Sequence, residues 1–509
     1  MPRLPINRFP TFDPGPKPMT RPNGSPATRV ILAVFDGMRP DMISEKTTPN
    51  LMRLARRGIW FREARSVFPS MTRVATTSIA TGAPPRVHGI VGNAFYWPAA
   101  ARKHALDTSL IDDIALLEAS DGRAATATTF GDQLALAGRK LAIVHTGSAG
   151  SAYLLNPRAR ANGHWTFSAL GEDHTQTPEA VRQMIARFGA LPPRSLPRFE
   201  EIDYAATVMT EHVLPVMQPD AAVVWFNEPD TSFHYKFIGA ADSMAVIRHA
   251  DAAFGRILDW VDAQPDADRF AIIAASDHGQ IATSAEINLA GRLTEAGHRA
   301  VRAADRNTDG AAVAITGGNM GEIRILDGGA ERSDAIARWL MEQPWIGHVL
   351  SRARNEIEGE AEGTFAISAA GLDHARQPDL VYVLKSNEDR DPQDWPGVGL
   401  MTGGVPLGGG MHGGFNRYEQ NTLLIGAGAG WSGADVMTSA PAGIIDIAPT
   451  ILDLLGVERA STMTGKSLLD AAADEAEIKI IETGVGSFRQ RLAYREADGR
   501  RFIVSGQPQ

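Results

Sequence analysis

Three apolar, β-branched runs in this chain each stop on an aspartate, and few folds accommodate that pattern. "RVILAVFDG" ends at Asp36, "AAVVWFNEPD" at Asp230, and "FAIIAASDHG" at Asp277 followed by His278. Continuous apolar runs of this length, bounded by turn residues, read as strands buried on both faces, the state of a strand in a parallel sheet. "KLAIVHTG", "DLVYVLKSN" and "NTLLIGAG" are similar runs without the terminal acid. Helical stretches lie between them: "PNLMRLARRG", with Pro49 at a first-turn position and Gly58 as a stop, then "TRVATTSIATG" and "IIDIAPTILDLLG". Strand alternating with helix predicts an α/β fold, a doubly wound and mostly parallel sheet with helices on both faces. In such sheets the functional groups gather beyond the carboxyl ends of the strands, where these aspartates fall.

The domain reading follows from this rhythm. Residues 1–27 are proline-rich and read as an extended arm. A catalytic core begins in 28–283, with an insertion near 95–202. Residues 284–399 interrupt the rhythm with charged, glycine-punctuated sequence and read as an inserted cap subdomain that sits over the strand ends and chooses the substrate. Residues 400–509 return to the core and carry a C-terminal segment.

A net charge of -9 supplies no field for holding a nucleic acid duplex or an anionic membrane. There are no cysteines, so any metal site rests on His, Asp and Glu. No leader-like apolar segment and no run of about 18 apolar residues is present, which makes a cytoplasmic protein the default and leaves a processed, periplasmic precursor open.

"EPDTSFH" places Asp230 and His234 four residues apart, a spacing that lets both reach one ion from a helix turn or a tight loop. Asp277-His278 sits at a strand end. His412 lies in "LGGGMHGGFN", where five glycines permit close backbone approach. Each feature alone has a plain structural explanation: a D-x-x-x-H pair arises by chance, a loop histidine is usually solvated, Thr72 ahead of a helix is normally an N-cap, and Asn93 after glycine suits a turn. His88 reads as a structural hydrogen-bonding residue. Asp373-His374 repeats the Asp-His dipeptide, but no apolar strand leads into it.

Taken together, the motifs resemble the alkaline phosphatase superfamily, and most closely its nucleotide pyrophosphatase/phosphodiesterase branch. "FDGMRPD" resembles the opening metal motif with Asp36, and "FPSMTRVATTSIATG" the nucleophile segment with Thr72. "RVHGIVGN" is similar to the turn that closes on a phosphoryl-binding amide, Asn93. "NEPDTSFH", "SDHG" and "GMHGG" resemble the ligand segments in their expected order. The resemblance implies two divalent ions, zinc by donor type with manganese also compatible. One would be held by Asp230, His234 and His412, the other by Asp36, Asp277, His278 and the Thr72 oxygen. It further implies a covalent phosphothreonine on Thr72, with Asn93 binding phosphoryl oxygens.

The substrate class stays open between readings. Many nucleotide-cleaving relatives carry an aromatic directly after the nucleophile, whereas this chain has Arg73, which suits a phosphoryl oxygen or a second anionic group. Phe95 and Tyr96, with Trp97, are candidates for the wall of a leaving-group pocket. A small-molecule phosphodiester is the favoured substrate. The alternative is a phosphomonoester or phosphonate, with Arg73 or a basic residue of the second insertion holding the extra charge. A formylglycine sulfatase is disfavoured by threonine at the nucleophile position, and a catalytically silent metal protein by the complete ligand set.

Overall fold

The computed structural model describes residues 27–302, 305, 307–470 and 476–506; all but the last residue of the expected arm lies outside them. Eight strands form the main sheet: β1 (Arg29–Phe35), β2 (Gly58–Phe61), β3 (Leu141–His145), β4 (Trp165–Ser168), β5 (Ala221–Phe226), β6 (Phe270–Ala275), β7 (Leu424–Gly428) and β8 (Val436–Thr438). Their order is β8-β2-β7-β6-β1-β5-β3-β4. β1 pairs in parallel with β5 and β6, and β3 with β5 and β4. β7 runs antiparallel between β6 and β2, and β8 rejoins β2 in parallel. The sheet is thus parallel except for β7.

Side chains alternate across the pleat, so a strand apolar at every position must be covered on both faces. In β1, Val30, Leu32 and Val34 enter one apolar layer, while Ile31, Ala33 and Phe35 enter the other. Helices α2 (Thr72–Thr81) and α5 (Ile447–Leu454) cover the first face; α1 (Pro49–Arg56) and α4 (Ala241–Asp262) cover the second. Helix α3 (Asp230–Lys236) lies beyond the end of β5. The N-terminus of α1 carries Pro49 as read from sequence, and α2 ends at Gly82 in a left-handed cap, φ 59°.

The interval 95–202 supplies β3 and β4 to the main sheet as well as surface helices. The interval 284–399 builds all of a separate six-stranded sheet, ordered 300–302, 313–315, 320–325, 380–384, 346–351, 365–366. The run "DLVYVLKSN" belongs here and not to the main sheet. One face packs Ile323 and Tyr382 against Ile336 and Leu340 of the helix Gly329–Met341. The other face sends Leu350, Phe365, Val381 and Val383 into the layer that holds α2. A three-stranded antiparallel meander, Ile478–Val485, Phe488–Ala497 and Arg500–Gly506, closes the described chain and packs Leu492, Phe502 and Ile503 into the same layer. Among the described residues, no helix is long and apolar enough to cross a membrane.

Candidate active site

The aspartates that ended the apolar runs converge past the ends of β1, β5 and β6. Asp36 follows β1 directly, and Gly37 (φ 71°) turns the chain away. A Cβ at Gly37 would stand 3.0 Å from Asp230 Cα, so glycine lets the two strand ends approach. Asp230 opens α3, and His234 one turn later brings Nε2 to 3.2 Å from Asp230 Oδ1. His412 arrives on the glycine-rich loop. There a Cβ at Gly409 would lie 2.2 Å from the His234 carbonyl oxygen, so the loop must be bare to press against α3.

Two groups of three side chains bring their donor atoms within 4.8 Å of one another: Asp36, Asp277 and His278, and Asp230, His278 and His412. All are buried. His278 is common to both groups, and its ring stacks on His412 at 3.6 Å between centroids. His234, expected beside Asp230 and His412, reaches Asp230 but belongs to neither group of three. The rings share one mode of attachment. His234 Nδ1 is 2.6 Å from the Gly410 carbonyl oxygen, His278 Nδ1 3.1 Å from that of Gly279, and His412 Nδ1 2.7 Å from that of Ser70. With each Nδ1 directed at a carbonyl oxygen, Nε2 is the nitrogen left facing the carboxylates, the orientation metal-binding imidazoles need.

The residues fit divalent cations. Asp36 Oδ1 and Asp277 Oδ2 are buried without a hydrogen-bond partner. Among the described residues, no lysine or arginine pairs with Asp36, Asp230 or Asp277; their charged neighbours within 4.0 Å are histidines. Their other oxygens are occupied. Trp225 Nε1 donates to Asp36 Oδ2 at 3.0 Å, and Gly37 N–H donates to Asp277 Oδ1 at 3.1 Å. Burial, then the charges of Asp277 and Asp230, hold the Asp36 carboxyl well above the ordinary carboxylate range. Burial also raises Asp277. At Asp230 burial acts in the same direction, but His234, His412 and His278 outweigh it and keep that carboxyl low. Burial and the neighbouring His278 push His412 well below its usual value, toward the neutral imidazole. Three buried carboxylates so close together call for positive charge, and the N/O donor set matches zinc or manganese.

Thr72 is the first residue of α2, where Met71 holds the cap position. Its hydroxyl makes no cap; Oγ1 lies 3.1 Å from His278 Nε2. Asn93 Oδ1 accepts from the Arg73 backbone N–H at 3.0 Å, which ties the asparagine to the same helix start. Arg73 and Thr72 line a cavity of about 550 Å³ that reaches Asp230. Phe95 and Tyr96 do not line it. Both are buried, and the Tyr96 hydroxyl is spent on the Arg102 carbonyl oxygen, so these rings pack the core instead of forming the expected aromatic wall.

None of the lining residues comes from 284–399 either. That segment supports the site from the side, where Asn319 donates to Glu419 Oε1, which also accepts from Gly414 N–H behind His412. The cavity is walled largely by 109–112, 148–149 and 170–198 of the first interval, including Arg194 and Arg198. Sequence reasoning missed these arginines, as well as Trp225 and Gln280, whose Nε2 donates to Asp230 Oδ1 at 2.5 Å. Only Trp225 carried a signal, as an indole at the end of a strand leading to the site. His88 bonds Ser78 Oγ at 2.9 Å in the core, and Asp373 pairs with Arg86 at 3.1 Å, away from the donor groups.

Comparison with known proteins places this arrangement. A crystal structure of a mutant alkaline phosphatase PafA matches with a TM-score of 0.63 over 88% of this chain and 99% of that one, at 14% identity, which establishes an alkaline phosphatase-like fold. The chain is 35% identical over 75 residues to bis(5'-adenosyl)-triphosphatase enpp4 of Xenopus laevis, covering 15% of this chain and 17% of that protein. It is 38% identical over 74 residues to an uncharacterized pyrophosphatase/phosphodiesterase of Schizosaccharomyces pombe, covering 14% and 15%. These alignments span less than a fifth of the relatives' length. The family model of the type I phosphodiesterases and nucleotide pyrophosphatases, in contrast, matches residues 30–381. That stretch carries Thr72, Asn93 and each aspartate and histidine of the donor groups apart from His412, and over it the chain belongs to the type I phosphodiesterase / nucleotide pyrophosphatase family.

Proposed function

We propose that this protein hydrolyses small-molecule phosphodiesters through a transient phosphothreonine on Thr72. The observation that carries the reading is Thr72 Oγ1, which forgoes a helix cap and points at His278 Nε2 where the two donor groups meet. Asp36, Asp277 and His278 would hold one divalent ion, and Asp230, His234 and His412 the other, zinc being the better match and manganese also suitable. Bound there, the ions supply the charge that lowers the pKa of the threonine hydroxyl and offsets charge on the departing oxygen.

Thr72 Oγ1 loses its proton to solvent and attacks phosphorus in line; the bond to the leaving oxygen breaks, and the departing group takes a proton from water. Water then cleaves the phosphothreonine and restores the hydroxyl. Asn93 Oδ1 is held by Arg73 N–H, so Nδ2 is the end free to donate to an equatorial phosphoryl oxygen. The start of α2 adds the positive end of its dipole, and of its first backbone N–H groups the one on Arg73 is already spent on Asn93. In this reading residues 284–399 act as a buttress for the His412 loop.

Arg73 favours one further reading, a phosphomonoesterase or phosphonate hydrolase. Its Nε is buried without a partner, and its nearest carboxylate, Asp107, is 3.9 Å away. Zinc- or manganese-loaded protein assayed on p-nitrophenyl phosphodiester, phosphomonoester, phosphonate and sulfate separates the two. Fastest turnover of the diester is expected; a monoester or phosphonate rate far above it overturns the phosphodiesterase assignment.

A further inference from the structure

The cavity beside Thr72 is much larger than one phosphoryl group, and arginines line it. Arg73 comes from the helix start, and Arg194 and Arg198 from the proline-rich segment "LPPRSLPRFEE". Among the described residues none makes a carboxylate ion pair closer than 3.9 Å, although the charge of Arg198 is felt at the buried Glu228 carboxylate. Arg73 has only Asp107, at 3.9 Å. Arg194 Nη2 meets the His174 imidazole at 3.2 Å, and Arg198 Nη1 a distant Thr146 carbonyl oxygen at 3.4 Å. Among the described residues, Arg194 and Arg198 form no ion pair, and the Nε atoms of Arg73 and Arg198 are buried without a hydrogen-bond partner. Asp112 and Asp173 line the same cavity without pairing to any of the three.

The arginine segment is also held in place. Ser195 N–H and Oγ donate to the two oxygens of Glu201 at 3.0 and 2.9 Å. Arg198 N–H donates to Glu228 Oε1 at 3.1 Å, while Glu228 Oε2 accepts from Ser232 N–H at 2.9 Å. One carboxylate therefore ties the segment to the loop and helix that present Asp230. Ordered guanidinium groups with unspent N–H donors are suited to bidentate capture of an oxyacid anion. A simple phosphodiester carries a single negative charge, and the donor groups around Thr72 already face it.

We propose that Arg194 and Arg198, together with Arg73, form a second anion subsite, so that the preferred substrate carries another oxyacid group, phosphate or carboxylate, in addition to the scissile phosphodiester. The inference rests on the hydrolase reading above and deepens it by naming the substrate class.

The test compares p-nitrophenyl ethyl phosphate with analogues bearing a carboxylate or a phosphonate at the end of the ethyl chain, and with one bearing a carboxylate on the aryl ring. At least one charged analogue is expected to exceed the parent in kcat/KM by about tenfold or more, the scale of one charge-assisted contact. The analogue that does so identifies the oxyacid and the half of the substrate that carries it. In Arg194→Gln and Arg198→Gln proteins that ratio falls toward one, and Arg198→Lys, which keeps charge but loses the planar fork, gives an intermediate ratio. Arg194 is exposed, so its variant is a safe test of folding. Equal kcat/KM for all four esters, or a preference that survives both glutamine variants, overturns the subsite while leaving the hydrolase reading in place. Absence of turnover on all four, the parent included, overturns the hydrolase reading and the subsite with it.

Discussion

Replacing Trp225 by phenylalanine isolates the contribution of one hydrogen bond to the donor groups. The indole Nε1 donates to Asp36 Oδ2 at 3.0 Å, and both residues are fully buried. Phenylalanine keeps a ring in position to stack on His145, now 5.4 Å away between centroids, and removes the donor. A hydrogen bond to a charged group contributes about 1.5–3 kcal/mol, and here the loss falls on the carboxylate form alone. Burial and two neighbouring aspartates already hold Asp36 above the usual range, so removing a donor that favours ionisation raises it further. A ligand must be deprotonated to bind metal, so the loss appears as weaker affinity, by roughly 10- to 150-fold in Kd. Zinc titration of metal-free protein against a chromophoric chelator should resolve this. One binding step weakens by that factor in Trp225→Phe and by more in Asp36→Asn, while far-ultraviolet circular dichroism stays unchanged. Zinc binding within twofold of wild type in a folded Trp225→Phe protein refutes the reasoning.

Other perturbations have equally definite outcomes. Thr72→Ala should abolish turnover while leaving zinc content, read by mass spectrometry, close to that of the wild type; residual turnover would exclude the covalent route. At Gly150 a Cβ would lie 1.8 Å from the Thr108 carbonyl oxygen, in backbone that cannot rotate away. Gly150→Ala should therefore lower the urea midpoint by an amount equivalent to about 1–3 kcal/mol, and should also lower kcat, because Thr108 holds the Asn93 carbonyl oxygen. Burial pushes Glu322 up to about 7 against the favourable pull of Arg324. The folded state then holds the proton that the unfolded chain has released, so the stability present below the unfolded value is lost as pH rises toward 7, by up to about 3 kcal/mol. Urea midpoints measured between pH 5 and 8 should decline less steeply in Glu322→Gln than in wild type, and identical slopes would contradict the assignment.

The parts of the site legible in sequence were those encoded by local pattern. An apolar run ending in Asp36 or Asp277 carries its own meaning, because a strand buried on both faces has to deliver its next residue to the end of the sheet. The Asp230–His234 spacing is fixed by one helical turn. The glycines around His412 were readable as close approach, although their partner, the carbonyl end of α3, was not. What sequence left dark depends on contacts between distant segments. Arg194 and Arg198 lie among prolines with no periodicity, and only the packing of 191–198 beside the Asp230 loop turns them toward a cavity. Phe95 and Tyr96 looked like pocket walls because aromatic composition does not distinguish a wall from a core. The run "DLVYVLKSN" has the same composition as a main-sheet strand, and only pairing assigns it to the second sheet.

The antiparallel strand β7 has a consequence for synthesis. It lies between β6 and β2, yet it is made long after both. While the ribosome is still translating the segment before Leu424, the open backbone edges of β2 and β6 face solvent and can recruit strands from other chains. His412 emerges only shortly before, so a nascent chain has neither a closed sheet nor a complete donor set. Premature termination between β6 and β7 should therefore yield an aggregating fragment and not a weakened enzyme.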